Sequence, residues 1–435
     1  MTTQRRARKI GASILALSLT TGIAACSGSG GSNVPGGGSA IVWTTWGSPD
    51  ELTSFHEFED QFKADHPDIN VTFQPVPSYE EYHSKLTTQL SSGTAPDVFY
   101  VGDDKIASLV ANDVLAPLDE LLADSDVISK EDFDEAIYRI AEKDGSLFAL
   151  PNDVNPDVFW YDKEALAAAG ISEDPAELAE NDEWTTETFI DMNEKLTAAG
   201  LHGAMYWNYW NTHDSWITSQ GGKVYDDDGN YVAHQDDAAV QAMTDFAQYM
   251  QDGTFEIADT LPKGAGADTL LVTHQLGFFA QGRYTIGTLE GAGVDMDSYD
   301  IVRWPTPDGK AAPTGVAASY LAINKNANDP EAAFLFFSEF LSKDGQELRL
   351  KGAGNAVPSI KGADDIVTGE GFPAHAQTML DMRDMGYSNF PAEAVVPDLS
   401  NQIAVDYMLP LYQGKATAPE TLQQIADLVA EASGK

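Results

Sequence analysis

Strand and helix signals alternate through residues 40–101, and this alternation constrains the fold more than any other feature of the chain. Three short segments are rich in β-branched and aromatic side chains, which is typical of strands: residues 40–46, 69–76 and 97–101. Two segments between them repeat apolar side chains at helical spacing: residues 52–62 and 79–90. A β-α-β-α-β succession predicts a parallel sheet with right-handed crossovers.

A binding site is expected at the carboxyl ends of these strands, because open α/β sheets bind their ligands there. Residues 46–50 and 102–104 follow the first and the third predicted strand. The candidate ligand contacts in and beside these turns are Trp46, Asp50, Glu51, Asp103 and Asp104. A carboxylate at the start of a helix, such as that of Asp50, also serves as an N-cap, so both roles stay open for it.

The length of the chain predicts two lobes. Of the 435 residues, about 395 follow a Gly/Ser-rich stretch, which is more than one hydrophobic core usually accommodates. A second α/β region has predicted strands at residues 157–161, 285–289 and 317–323, and predicted helices at residues 163–169, 184–199, 236–251 and 330–341. We therefore expect the α/β class, with each lobe built on a mainly parallel sheet flanked by helices.

The N-terminal residues have the pattern of a lipoprotein signal peptide. A basic segment at residues 5–9 precedes an apolar stretch at residues 10–23, which is shorter than the roughly 20 residues of a membrane span. The sequence IAAC, which ends at Cys26, resembles a lipobox. Cys26 is the only cysteine, and the Gly/Ser-rich residues after it disfavour the alternative of a buried core thiol. We expect a signal peptide at residues 1–25, lipidation of Cys26 and a flexible tether at residues 26–39.

Charge and missing motifs exclude several classes of function. Removing the signal peptide leaves 25 − 4 = 21 Lys and Arg against 68 Asp and Glu, a formal charge of 21 − 68 = −47. Such a charge repels nucleic acid, so no nucleic-acid partner is expected. The sequence contains no phosphate-binding glycine loop, paired-histidine metal motif or nucleophile elbow. We therefore expect no cofactor, no metal and no enzymatic activity, and we expect DDDG at residues 226–229 to form a hairpin turn.

Four stretches of the sequence resemble the extracellular solute-binding proteins of ATP-driven sugar importers, the family that includes maltodextrin-binding proteins. They are residues 43–73 (WTTWGSPDELTSFHEFEDQFKADHPDINVTF), 89–104 (QLSSGTAPDVFYVGDD), 145–171 (GSLFALPNDVNPDVFWYDKEALAAAGI) and 318–342 (ASYLAINKNANDPEAAFLFFSEFLS). After the segment FFAQGRYTIGTL this family often carries a tryptophan that lines the cleft, whereas this chain has Glu290. We expect Glu290 to offer a hydrogen-bonding carboxylate there.

The resemblance implies a two-lobed fold like that of periplasmic binding proteins, with a cleft and a hinge between the lobes. It predicts an N-terminal lobe at residues 40–151 plus 304–355 and a C-terminal lobe at residues 152–303 plus 356–435. The implied function is extracytoplasmic capture of a carbohydrate, which the negative charge and the aromatic content favour as a neutral oligosaccharide. The implied partners are the permease subunits of an ABC transporter, and we expect a monomer held by its lipid to the cell membrane of a Gram-positive bacterium.

A secreted glycoside hydrolase is the alternative function. That reading needs two carboxylates at a defined separation across a glycosidic bond. Because the chain has 68 acidic residues, a suitable pair is always available, and the acidic count does not favour either function. The order of the four stretches favours the binding protein.

Aromatic and polar side chains are the expected sugar contacts, because a sugar presents apolar faces and a ring of hydroxyls. The densest aromatic segment is MYWNYWNTHDSW at residues 205–216. We predict that Trp207 and Trp210 line the cleft, with a role in the core as the alternative, and we predict that Trp216 lies in the core. The remaining candidates lie on the expected hinge, strands and turns: Asn152, Asp153, Glu290, Tyr320 and Asn355.

Overall fold

The computed structural model describes residues 39–47, 49–76, 78–261, 266–352, 356–369, 371–390, 396 and 399–433, except for the side chains of residues 49, 50 and 80. The predicted signal peptide, Cys26 and the tether up to residue 38 lie outside the described residues. Asn355 and the side chain of Asp50 also lie outside them. The predictions for these positions are therefore unchanged by the fold.

The described strands and helices extend from residue 39 to residue 432. The strands are β1 (Ser39–Thr44), β2 (Ile69–Phe73), β3 (Val98–Gly102), β4 (Glu142–Lys143), β5 (Ser146–Leu147), β6 (Ala149–Pro156), β7 (Val158–Asp162), β8 (His202–Tyr206), β9 (Phe255–Ile257), β10 (Leu276–Gln281), β11 (Tyr299–Val302), β12 (Val316–Ile323) and β13 (Val357–Pro358). The helices are α1 (Pro49–Asp65), α2 (Tyr79–Ser92), α3 (Asp103–Ala111), α4 (Asp119–Ala123), α5 (Glu135–Tyr138), α6 (Lys163–Ala168), α7 (Pro175–Glu180), α8 (Thr186–Ala198), α9 (Trp210–Ser219), α10 (Asp237–Asp252), α11 (Ala267–Val272), α12 (Thr285–Ala292), α13 (Pro330–Leu341), α14 (Lys343–Leu350), α15 (Asp365–Thr368) and α16 (Gln377–Met385). Further helical turns near the C-terminus are Leu399–Gln402, the π-helix Ile403–Met408, Leu409–Tyr412 and Ala418–Ala432.

Two large sheets organise most of these elements, as expected for two lobes, and β4 and β5 form a small sheet of their own. The first sheet has the order β13-β6-β12-β3-β1-β2, and the second has the order β11-β7-β10-β8-β9. In the first sheet β1 pairs in parallel with β2 and β3, which confirms the β-α-β-α-β prediction. In the second sheet β8 pairs in parallel with β9 and β10.

Both sheets are mixed rather than mainly parallel. Strands β6 and β12 pair antiparallel with each other, and β12 pairs antiparallel with β3. In the second sheet β7 pairs antiparallel with β10 and β11. Parallel neighbours need a crossover within one sheet, whereas β12 returns from the other sheet through residues 303–315 and arrives in the opposite direction.

The predicted strand at residues 285–289 is wrong, because this segment forms the helix α12. Its buried residues are Thr285, Ile286 and Leu289, a spacing that places them on one face of a helix. Gly293 ends the helix with a φ of 68°, the left-handed conformation that favours glycine at this position. A short apolar run alone does not distinguish a strand from a buried helix.

Each sheet packs against its own aromatic cluster. In the first, the fully buried ring of Trp43 stacks on Phe73 at a centroid distance of 4.0 Å and also contacts Phe55 and Phe340. In the second, Trp216 is buried against Phe246, Tyr249 and Phe255, and its indole N–H donates to the carbonyl of Ala242 at 2.9 Å. The prediction that Trp216 lies in the core is confirmed.

A hydrogen bond joins two of the connections between the two sheets. Asp157 alone separates β6 of the first sheet from β7 of the second. Trp304 lies on the return connection, is 1% exposed, and donates its indole N–H to the carbonyl of Asp157 at 2.9 Å. The strand β13 lies at the edge of the first sheet. The predicted lobe boundary at residue 356 assigns this strand to the C-terminal lobe. No helix of the described residues is long and apolar enough to cross a membrane.

Candidate binding site

A cavity of about 360 Å³ lies between elements of the two sheets. From the first sheet and its helices come most of its walls: Trp46, Glu51, Tyr79, Tyr100, Gly102, Asp103, Asp153, Asn155, Ala317, Ala318 and Ser319. The loops after β8 and β10 of the second sheet contribute Tyr209 and Tyr284. Because Trp46, Asp103, Tyr209 and Tyr284 each follow a parallel strand, the cavity lies where ligands bind in open α/β sheets.

The ring of Trp46 is held in place by other aromatic rings. It meets the rings of Tyr79, Tyr82 and Tyr100 edge to face, at centroid distances of 5.0, 5.3 and 5.5 Å. The hydroxyl of the fully buried Tyr82 donates to the carbonyl of Tyr100 at 2.8 Å, which fixes α2 against β3. Trp46 is half-buried and therefore offers a rigid apolar surface to the cavity.

The turn between β3 and α3 is fixed by His83. The Nε2 atom of His83 accepts a hydrogen bond from the N–H of Gly102 at 3.1 Å, so the proton lies on Nδ1, which donates to the carbonyl of Tyr79 at 3.0 Å. Burial lowers the pKa of His83 to about 4, against the opposing effect of Asp104, and keeps the ring neutral. A side chain at Gly102 would place its Cβ 1.9 Å from the Tyr79 hydroxyl, so any residue other than glycine displaces the side chain of Tyr79.

Asp103 joins loops from both sheets. Its Oδ1 atom accepts from the hydroxyl of Tyr209 at 2.6 Å, and its Oδ2 atom accepts from the N–H of Ala318 at 3.2 Å. Burial and the nearby Asp104 raise the pKa of Asp103 to about 7, and the bonds from Tyr209 and Ala318 oppose this rise. Burial also raises the pKa of Asp157 to about 7, with a hydrogen bond from Asn211 opposing it.

Asp153 is the carboxyl group that β6 contributes to the wall of the cavity. It accepts a hydrogen bond from the Ser319 hydroxyl at 2.7 Å and one from the amide of Asn152 at 2.5 Å. Burial raises the pKa of Asp153, while the bond from Ser319 and the charge of Arg349 lower it. The guanidinium of Arg349 is buried behind the wall and donates to the Tyr100 hydroxyl at 3.3 Å.

Four of the predicted site residues are brought together in this wall: Trp46, Glu51, Asp103 and Asp153. Two others lie directly behind it. Asn152 is fully buried and donates to Asp153 and Ser319, while Asp104 accepts from the Tyr79 hydroxyl at 2.6 Å and pairs with Lys105 at 3.0 Å. Both therefore support residues of the wall without lining the cavity.

Four predicted contacts do not line the cavity. Trp210 is 1% exposed beneath the start of α9, and Tyr320 is fully buried with its hydroxyl donating to the carbonyl of Ile137 at 2.7 Å. A register shift between Ser319 and Tyr320 separates the cavity-lining end of β12 from its buried part. Trp207 is half-buried with its ring 5.8 Å from that of Phe279, and it is hydrogen-bonded to the side chain of Tyr284, which lines the cavity; its contact with a ligand stays a prediction. Glu290 is exposed on α12 and does not reach the wall.

Sequence reasoning missed several wall residues: Tyr79, Tyr100, Gly102, Asn155, Tyr209, Tyr284, Ala317, Ala318 and Ser319. A usable signal existed for two of them. Tyr209 and Tyr284 follow strands of the second sheet as Trp46 follows β1, so the rule that selected Trp46 also selects them. The wrong strand at residues 285–289 hid this relation for Tyr284.

A second cavity, of about 270 Å³, lies between the hairpin near residues 229–234 and the helix Ala418–Ala432.

The hairpin turn predicted at residues 226–229 is confirmed, because the N–H of Gly229 donates to the carbonyl of Asp226 and Tyr225 pairs with Tyr231. In the described part of the chain no cluster of three His, Cys, Asp or Glu residues could hold a metal ion.

Comparison with known proteins places the chain in a family. Among curated relatives, the diacetylchitobiose binding protein DasA of Streptomyces coelicolor is 27% identical over 445 residues, which cover 96% of this chain and 96% of that protein. The maltotriose-binding protein of Pyrococcus abyssi is 23% identical, with 70% of this chain and 63% of that protein covered. A putative binding protein of Brucella abortus is 30% identical over 122 residues; the match covers 28% of this chain and 29% of that protein's length.

Solved structures share the fold at low sequence identity. An ABC substrate-binding protein from Listeria monocytogenes, solved in complex with cycloalternan, matches with a TM-score of 0.77 at 19% identity, covering 91% of this chain and 99% of that one. The GacH receptor of Streptomyces glaucescens matches with a TM-score of 0.73 at 15% identity, covering 91% and 98%. These likenesses confirm the two-lobed α/β fold.

A family match covers the segments that form most of the cavity. Residues 46–347 match the family described as bacterial extracellular solute-binding protein. This range includes every strand of the two large sheets except two. The exceptions are β1, which pairs with β2 and β3, and the short edge strand β13. Members of this family are solute-binding proteins and not enzymes. The chain belongs to the bacterial extracellular solute-binding protein family.

Proposed function

We propose that this protein captures an oligosaccharide outside the cell and delivers it to the permease subunits of an ABC importer. The observation that carries the proposal is the cavity between the two sheets, whose wall combines the rings of Trp46, Tyr209 and Tyr284 with the carboxylates of Asp103 and Asp153. Aromatic faces suit the C–H faces of sugar rings, and carboxylates accept hydrogen bonds from hydroxyl groups. Three carboxyl groups in the wall disfavour acidic or phosphorylated sugars.

The size of the cavity favours a short oligosaccharide. Its volume of about 360 Å³ is near the lower end of the usual range for small-molecule sites, roughly 300–1,000 Å³. A disaccharide is the ligand we propose. The names of two relatives, a diacetylchitobiose binding protein and a maltotriose-binding protein, support sugars of this size as test ligands.

Closure of two lobes around the sugar is the proposed mechanism of capture. We propose that each lobe contains one of the two sheets, and that the chain crosses between them at Asp157 and through residues 303–315. The hydrogen bond from Tyr209 to Asp103 joins loops from the two sheets at the cavity. A sugar that contacts both lobes favours the closed form by its differential affinity for that form.

Isothermal titration calorimetry tests this function. The purified protein is titrated with diacetylchitobiose, maltotriose, cellobiose, a galactobiose and single hexoses, and each mixture is examined afterwards by chromatography. Saturable binding of a disaccharide or trisaccharide at one site per chain, with the sugar recovered intact, is the expected result. Cleavage of a sugar supports the glycoside hydrolase instead, and an absence of binding across the panel contradicts the proposal.

We further propose that a lipid on Cys26 anchors the protein to the outer face of the cell membrane, as a monomer. A tethered receptor stays near its permease at high effective concentration. Cys26→Ser is expected to release the protein from the membrane fraction into the medium, and mass spectrometry of the wild-type N-terminus is expected to find an acylated cysteine. Recovery of both forms in the membrane fraction contradicts the anchor, and light scattering tests the monomer.

A further inference from the structure

The charges in the cavity wall are all of one sign. The wall contains the carboxyl groups of Glu51, Asp103 and Asp153, and among the described residues that line it there is no lysine, arginine or histidine. Asp103 is 2% exposed and Asp153 is 6% exposed, so bulk water screens their charges poorly. Buried carboxylates of one sign favour a ligand that brings hydrogen-bond donors and positive charge.

Asp103 and Asp153 accept hydrogen bonds from two adjacent residues of β12. The N–H of Ala318 donates to Asp103, and the hydroxyl of Ser319 donates to Asp153. Ser319 is also paired with Gly102 on β3 and with Asp153 on β6, so these three residues form one row across adjacent strands. Neighbouring strands are about 4.8 Å apart, so the backbones of Asp153 and Gly102 lie about 9.6 Å apart on opposite sides of β12. Because Asp103 and Asp153 both accept hydrogen bonds from β12, a ligand group above Ser319 lies between the two carboxylates.

The nearest cations of the protein lie behind the wall, from where the charge of Arg349 lowers the pKa of Asp153. The guanidinium of Arg349 lies 3.8 Å from the centre of the Phe340 ring and donates to the Phe340 carbonyl at 3.1 Å. Lys105 pairs with Asp104 at 3.0 Å, behind the wall. Neither side chain lines the cavity. On the cavity side of the wall, a ligand is thus the source of a positive charge for these two carboxylates.

We propose that the site selects an amino sugar, in which the ammonium group of a hexosamine unit binds between Asp103 and Asp153. This inference rests on the proposed function as a sugar receptor and replaces the neutral sugar expected from the sequence. An ammonium group carries three N–H donors, which suit the two carboxylates and a neighbouring oxygen. The rings of Trp46 and Tyr284 then contact the apolar faces of the sugar.

Three disaccharides that share one linkage test the inference by calorimetry at pH 7. They are the β-1,4-linked dimers of glucosamine, N-acetylglucosamine and glucose, which differ in the group at carbon 2: ammonium, acetamide or hydroxyl. Because hydrogen bonds to a charged group are stronger than neutral ones, the glucosamine dimer is expected to bind about tenfold more tightly than the glucose dimer. The acetylated dimer lacks the charge and is expected to bind less tightly than the glucosamine dimer.

Two variants locate the ammonium group. Asp103→Asn and Asp153→Asn are each expected to lower the preference for the glucosamine dimer about tenfold, while binding of the glucose dimer shows that the variant is folded. Two variants are used because one amide can disturb the turn at Gly102. Asp60→Asn removes one charge from the exposed face of α1 and is expected to leave the preference unchanged.

The outcomes separate this inference from the proposed function. Equal or tighter binding of the glucose dimer overturns the amino-sugar inference and leaves the sugar receptor standing. Failure of the glucosamine dimer to bind overturns it too, whether or not a neutral sugar binds. A preference that both Asp103→Asn and Asp153→Asn retain overturns the assignment to these carboxylates. Failure of every sugar to bind contradicts the proposed function itself.

Discussion

Asp103→Asn is expected to stabilise the protein, and to do so only at neutral and alkaline pH. The carboxyl group is 2% exposed, and its pKa is about 7 in the folded protein against an ordinary value of 3.8. Between these two values the folded state holds a proton that the unfolded state has lost. Stability therefore falls as the pH rises from about 4 to about 7, and an uncharged amide at this position avoids that loss.

The size of the effect follows from the pKa difference. A shift of about three units corresponds to about 4 kcal/mol of destabilisation at pH 8, as an upper bound. The introduced amide accepts from the N–H of Ala318 and donates to the hydroxyl oxygen of Tyr209, and this exchange costs about 1 kcal/mol of hydrogen-bond energy. The variant is expected to be about 3 kcal/mol more stable at pH 8 and about as stable as the wild type at pH 5.

Urea denaturation at pH 5 and pH 8, followed by circular dichroism, measures this difference. The control is Asp60→Asn, whose carboxylate is exposed on α1, and it is expected to show the same small difference at both pH values. The reasoning is refuted if Asp103→Asn is less stable than the wild type at pH 8, or if its advantage is the same at pH 5. Asp157 titrates in the same range, so part of the wild-type pH dependence is expected to persist in the variant.

Three other substitutions test the construction of the site. Trp46→Ala is expected to weaken binding of the best disaccharide by roughly 1–3 kcal/mol in calorimetry, because it removes an aromatic contact face; unchanged affinity contradicts the assignment. Gly102→Ala places a methyl group 1.9 Å from the Tyr79 hydroxyl, and calorimetry is expected to find binding reduced at least tenfold in a folded protein. His83→Phe leaves the buried N–H of Gly102 without its acceptor and is expected to lower the unfolding free energy by about 1–3 kcal/mol in urea.

The topology could be predicted from the sequence where local patterns are strong. Residues 40–101 alternate between strand and helix signals, and β1, β2 and β3 form the parallel arrangement that this alternation requires. The antiparallel position of β12 could not be predicted in this way, because it depends on the chain crossing between sheets. The segment 285–289 was ambiguous for another reason, since a short buried run has the same composition in a helix and in a strand.

The site could be predicted in part, because its rule concerns backbone position. Their position after strands of the first sheet predicts Trp46, Glu51 and Asp103 as contacts, and these residues line the cavity. The aromatic content of its segment predicts Trp210 as a contact, but Trp210 lies in the core, because a large apolar side chain suits a core as well as a cleft. The side chain of Tyr320 is buried next to a register shift in β12, and no local sequence pattern encodes that shift.

A crystal structure of the protein with its tightest-binding disaccharide tests the central claim most directly. We predict that the sugar lies between the two sheets, in contact with Trp46, Asp103, Asp153 and Tyr209. The second cavity, beside the helix Ala418–Ala432, is expected to contain no sugar. A disaccharide bound in that second cavity, or on the outer surface with the wall around Asp103 unoccupied, contradicts the account.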